Sequence, residues 1–285
     1  WPSTIRWADK EGGTVRMASS GILTGPWNAI NGQNWAQELY IVRATMDSAG
    51  LSDPYTGLYW SQRMERAEVI AKEGTPIQKT MDWVDLKFEP EIQVPTDAWA
   101  DWDAKNQKFI TVGEKFPEGT TAVTKVTVYY PESLWDIKWH DGSNLSVSDF
   151  VYMMIMAFDQ GKPDSPIYDE APQSHVEDLL KHFKGVKIIS TDPLVIETYD
   201  DRSDLDAENL VGSYWTENWF PSDMNSTLKG PISWHAYSLG YLAESNKELA
   251  FSSDKSTALS VNWTNYIDGP SLEILKKYLD QAKAE

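Results

Sequence analysis

Asp101 and Asp103 stand beside Trp99 and Trp102. Two carboxylates against an aromatic wall are the groups that glycoside hydrolysis uses, one as acid and the other as base or nucleophile. With 43 Asp and Glu in 285 residues, such pairs also arise by chance. His175 and His182 are seven apart and can share a helical face, but no acid is fixed beside them to complete a metal site. Asp200, Asp201, Asp204, Asp206 and Glu208 offer hard oxygens in a short span. They lack the glycine and spacing of a calcium loop, so the run reads as a solvated acidic face.

The remaining chemistry is missing from the sequence. It has no phosphate-cradling G-x-x-x-x-G-K-[ST] loop, no G-x-G-x-x-G, no His-Glu-x-x-His and no G-x-S-x-G turn. With no cysteine, disulfides, thiolate-bound metals and thiol nucleophiles drop out together. The expectation is a protein that is not an enzyme, with no catalytic residue, no metal and no cofactor. Lys and Arg total 25, leaving a net charge of −18, a field that repels phosphate backbones, so no nucleic-acid partner is expected. No stretch has the roughly 18 apolar residues that span a bilayer.

What stands out is aromatic loading: 14 Trp, 13 Tyr and 8 Phe. Aromatic rings with polar handles suit partly wet sites that grip sugars or peptides, although most fill cores. Two loops concentrate them. Residues 19–34 carry Trp27, Asn28 and Asn34 and lead into Trp35, and residues 213–233 carry Trp215 and Trp219. These six are the candidate ligand-binding residues, combining flat faces with amides that both donate and accept.

The elements that must position them follow from periodicity and punctuation. A short strand is expected at 14–18, then a helix capped by Asn34 and ended by Gly50, then a turn at Asp53-Pro54-Tyr55-Thr56-Gly57. Residues 63–112 read as short strands broken by turns, a small β-rich subdomain. Val126, Val128 and Tyr130 alternate with polar neighbours, as do Trp135, Ile137 and Trp139, predicting two strands. His140-Asp141-Gly142-Ser143 is a tight turn, and Ser146 with Asp149 forms a capping box for a buried helix over 147–158. A hairpin over 186–199, a helix over 237–250 and an amphipathic helix over 271–285 complete the chain. In the last, Leu272, Leu275, Leu279 and Ala282 form the apolar stripe, widened by Ile274 and Tyr278.

Three blocks carry a family pattern. They are Gly12-Gly13-Thr14-Val15-Arg16, the passage from Val126 through Trp139-His140-Asp141-Gly142-Ser143 and Leu145-Ser146 to Asp149-Phe150-Val151-Tyr152, and the hairpin Gly185–Tyr199. In order and spacing they resemble family 5 extracellular solute-binding proteins, the peptide- and nickel-type receptors of ABC importers. The resemblance implies an α/β periplasmic-binding-protein-like lobe of type II, cluster C-like, incomplete against a full two-lobed receptor. On it, residues 1–62 and 113–285 form the main lobe and 63–112 the small subdomain. The implied protein captures an oligopeptide or oligosaccharide-like solute outside the cell and delivers it to the ABC transporter permease subunits. It is extracellular or periplasmic, lipid-anchored as a lipoprotein in full-length form, and monomeric. The alternative is a secreted carbohydrate-binding or carbohydrate-active protein using tryptophan platforms.

Overall fold

The computed structural model describes residues 14, 25–28, 30, 47–213, 219–221 and 232–284. The expected strand at 14–18 and the helix after Asn34 lie outside them. Among the described residues the strands are β1 (Gly50–Ser52), β2 (Tyr59–Ser61), β3 (Arg66–Lys72), β4 (Val84–Glu89), β5 (Ile92–Gln93), β6 (Trp99–Asp103), β7 (Lys108–Thr111), β8 (Thr121–Ala122), β9 (Thr124–Tyr129), β10 (Phe183–Thr191), β11 (Leu194–Asp200), β12 (Leu249–Ala250) and β13 (Asn262–Trp263). The helices are α1 (Val112–Lys115), α2 (Val147–Asp159), α3 (Gln173–His182), α4 (Ala207–Ser213), α5 (Trp234–Ser245), α6 (Ser253–Leu259) and α7 (Ser271–Ala284).

Seven strands form one mixed sheet in the order β4-β3-β9-β11-β10-β6-β7. The fold is therefore mixed α/β. β3 and β9 pair antiparallel from Arg66↔Tyr129 to Ala71↔Thr124, and β9 pairs β11 in the same sense. The expected division at 63–112 has no counterpart in this sheet. β3 and β4 continue it beyond β9 and β6 and β7 continue it beyond β10, so that segment supplies both edges. Within it β3 pairs β4 and β6 pairs β7, while β3 and β6 also pair outside it, with β9 and β10.

One face of the sheet is apolar. Ala67, Val69, Val126, Val128, Leu194 and Ile196 are buried there with Phe150, Met154 and Phe158 of α2. No residue of α2 from Asp149 to Asp159 is exposed, in keeping with its nearly continuous apolar sequence. The other face carries paired charges beside a smaller apolar cluster that includes Ile70, Ile92, Val112 and Tyr199. Lys87 meets Glu68, Lys125 meets Glu197 at 2.9 Å, Lys187 meets Asp97 at 2.7 Å, and the Arg66 guanidinium lies 3.4 Å from the centre of the Tyr129 ring.

Several local expectations are corrected. Residues 135–139 are not a strand. Glu132–Asp136 is a 3₁₀ turn following Pro131, and beyond it Lys138 bridges Asn144. The backbone there bonds to itself, as Leu134 N–H to Pro131 O (2.9 Å) and Trp139 N–H to Ser143 O (2.8 Å), so no strand partner is needed. The alternating side chains are explained by the core instead, with Trp135 edge-on to Phe150. Gly50 opens β1, not a helix end. The helix expected to reach residue 250 stops at Ser245, where Lys247 takes a left-handed φ of 58° before β12. In α7 the buried pair is Leu275 and Tyr278, packed with Ala243 and Leu249, while Leu272, Leu279 and Ala282 stay exposed.

The β1–β2 hairpin is sealed by close approach. The Tyr59 ring lies against Gly50 and against Gly212 of α4, and a Cβ on either glycine would overlap it.

Candidate functional site

The candidate ligand residues separate once placed. Trp27 is 40% exposed, on a backbone fixed from both sides. Its carbonyl accepts from Tyr266 N–H at 2.9 Å, and the next residue, Asn28, is buried. Asn28 Nδ2 donates to Thr264 O at 3.0 Å while Oδ1 accepts Ile30 N–H at 3.0 Å. Asn28 is thus a brace, and its amide serves the protein rather than a solute. Thr264 is held in turn by Ala250 O, through its N–H (2.8 Å) and hydroxyl (3.0 Å). Trp27 therefore presents its indole from a segment docked on the β12–β13 end of the molecule, where its partner Tyr266 adjoins the exposed Ile267.

Trp219 is in the core. It is 2% exposed, its indole N–H donates to Thr198 Oγ1 at 3.0 Å, and its ring meets Phe183 edge-on. A side chain with both its face and its polar handle spent on the interior has nothing left for a solute. Asn34, Trp35 and Trp215 lie outside the described residues.

The His140–Asp149 passage builds a joint. Asp141 Oδ1 accepts Ser143 N–H (2.9 Å) and hydroxyl (2.6 Å), which closes the turn. These bonds, with His235 beside the other oxygen, hold the Asp141 carboxyl down at about 2. Ser146 and Asp149 form the reciprocal capping box of α2. Both acids also reach 85 and 94 residues along the chain: Asp149 Oδ1 accepts Trp234 N–H at 2.8 Å, and Asp141 Oδ2 lies 2.8 Å from His235 Nε2. Two carboxylates thus seat the first turn of α5, where the helix end favours negative charge. Ser233 Oγ is 3.0 Å from that same His235 nitrogen. A histidine activates a serine when one ring nitrogen faces the hydroxyl and the other the orienting carboxylate; here one nitrogen faces both groups. The local capping box was legible from residue types, whereas the long-range contacts to α5 left no mark in the sequence.

The Asp101–Asp103 pair is dispersed over separate duties. Asp101 contacts Lys162, and its Oδ2 lies 3.1 Å from Lys115 Nζ. Burial alone would raise its carboxyl; Lys162 and Lys115 hold it below the usual carboxylate range. Asp103 accepts Asn106 Nδ2 at 2.7 Å and N–H at 3.0 Å in the β6–β7 turn, which lowers it too. A glycosidase acid needs one carboxyl held up near neutrality, and both of these are held down.

No family model matches the chain, and no curated protein matches it. The residues alone therefore carry the functional argument.

The acidic run is the clearest correction. Asp200 is buried and forks with Arg202, whose Nη2 lies 2.8 Å away, and Asp201 pairs with Lys184 at 2.8 Å. Glu208, fully buried, accepts the backbone N–H groups of Thr80 (2.7 Å) and Met81. Burial pushes its carboxyl up, and the neighbouring Asp206 adds to this. Among the described residues, no group of three or more His, Cys, Asp or Glu is placed to hold a metal ion. Among them too, no helix is long and apolar enough to cross a membrane.

Proposed function

We propose that this chain is the N-terminal part of a solute-binding protein of an ABC importer, of the family 5 type. It captures an oligopeptide or oligosaccharide-like solute outside the cell and passes it to the permease subunits. In this reading the protein is exported and lipid-anchored, works as a monomer, and performs no chemistry on its ligand. The periplasmic-binding-protein-like lobe belongs to the same proposal, with the seven-stranded sheet as its frame.

The observation that supports the reading best is the way the acids of the His140–Asp149 passage are used. Asp141 and Asp149 are both spent on turn closure, helix capping and the seating of α5, which is the architectural use the resemblance implies. Meanwhile Trp27, an indole on a braced backbone, stays open to solvent.

The test is calorimetric titration of oligopeptide and oligosaccharide panels against the full-length protein and its Trp27→Ala variant. A ligand stacked on Trp27 should lose about tenfold in affinity or more, since one stacked aromatic contact is worth about 1–1.5 kcal/mol before buried area is counted. Binding that is unaltered in Trp27→Ala removes this residue from the site. Turnover of a glycoside abolished by Asp101→Asn would overturn the receptor reading in favour of a carbohydrate-active protein.

A further inference from the structure

Two acids share the corner where the β6–β7 hairpin meets α2, and the protein treats them in opposite ways. Asp101, partly open to solvent, has two lysines. Asp159, the last residue of α2, is fully buried and has neither. Lys162, only three residues on, turns its ammonium to Asp101 and to Trp102 O at 2.5 Å. The groups that face Asp159 are neutral and come from every element around it. From β6 the Trp102 indole N–H donates to Oδ1 at 2.9 Å, and from the β6–β7 turn Gln107 Nε2 donates to the same oxygen at 3.1 Å. The other Asp159 oxygen, Oδ2, is buried with no hydrogen-bond partner, the Tyr241 hydroxyl of α5 going to Gln107 and the Ser165 hydroxyl accepting Ile167 N–H. Gln107 is itself tied down, with Nε2 on Ala104 O (2.7 Å), Oε1 receiving the Tyr241 hydroxyl (2.7 Å), and a backbone φ of 52°.

A carboxylate in this place faces three unfavourable conditions. It is out of water, it lacks a counter-cation, and it sits at the helix end where the aligned carbonyls are already negative. A carboxylic acid in the same place faces none of them and still accepts from Trp102 and Gln107. We propose that Asp159 is a proton-binding site built into the fold, and that proton uptake there tightens the β6–β7 hairpin against α2 and α5. Burial does push the Asp159 carboxyl up, in the direction this requires.

The sign follows from linkage. Between the ordinary carboxylate value and the raised native one, the folded chain holds a proton that the unfolded chain does not. Lowering the pH through that window therefore favours the fold at this corner, the reverse of what Asp101 does.

The experiment follows the indole N–H resonance of Trp102 in the full chain from pH 8 to pH 3, assigned by its loss in Trp102→Phe. The expected midpoint lies above the ordinary carboxylate value of about 4, with an inflection that Asp159→Asn removes. Thermal unfolding gives the second readout. Asp159→Asn, which mimics the protonated group, should melt above the wild-type chain at pH 8, with the gap closing as the pH approaches about 4. A Trp102 midpoint at or below about 4 overturns the proposal, and so does a variant no more stable than wild type at pH 8. The wild-type titration decides the matter even if a variant fails to fold.

Discussion

Residues 140–149 and 200–208 are both short, acid-bearing and rich in turn formers, yet their carboxylates have different reach. In the first, Asp141 and Asp149 bond within three residues of themselves and only secondarily to α5. In the second, Glu208 spans 128 residues to hold the Thr80 backbone, while Asp200, buried at the end of β11, keeps to a local partner two residues on, Arg202. Local bonding leaves a fingerprint in residue order; bonding across the fold does not. A run of acids is therefore no guide to solvation, since what decides is whether the fold brings donors to it.

The sharpest way to break this comparison is Arg202→Met. If Asp200 depends on that fork, the change strands a buried carboxylate and should cost about 3 kcal/mol in chemical unfolding. A solvated acidic face would lose no more than about 0.5 kcal/mol. Glu208→Ala comes next, at about 2 kcal/mol, because two backbone donors lose their acceptor, and Glu208→Gln should recover most of it. Asp149→Ala should cost about 1.5 kcal/mol through the lost cap and the freed Trp234 N–H. Hydrogen exchange at the start of α5 should rise in that variant and not in Glu208→Ala.

The smallest effect is at Asp141. Its carboxyl is lowered in the folded chain, so its contribution is present above the ordinary value of about 4 and fades as the pH falls toward about 2. Half-exposed as it is, it should contribute only about 0.5 kcal/mol after solvent screening. Asp141→Asn should thus separate from wild type in neutral denaturation curves by that amount and converge with it near pH 2.

What could be read from the sequence follows the same division. The capping box, the buried α2, the 53–57 turn and the β10–β11 hairpin each rest on neighbours in sequence, and each is present. Residues 135–139 imitate a strand because alternating burial is common to a strand and to an irregular segment laid on a core. Only the hydrogen-bond partners tell them apart. The placement of β3, β4, β6 and β7 in one sheet with β9–β11 depends on pairings more than about 50 residues apart, as at Glu68↔Thr127 and Val186↔Trp99. Among the candidate site residues, residue type could not separate Trp27 from Trp219. Both are tryptophans in loops rich in turn formers, and the fold sends one to solvent and the other beneath β11. Asp159 did leave a trace, as an acid closing an otherwise apolar helix.

The ring of Tyr59 caught between Gly50 and Gly212 makes two distant positions answerable to each other. The first alanine, at either site, must evict the ring and open the hairpin from α4. A Cβ at Gly50 also meets the Trp60 carbonyl, whereas at Gly212 only the ring stands in the way, so once Gly50→Ala has moved the ring the added Gly212→Ala should cost little more. Drift at the two positions is in that sense ordered: a lineage that tolerated a change at position 50 would be released to make one at 212, and not the reverse.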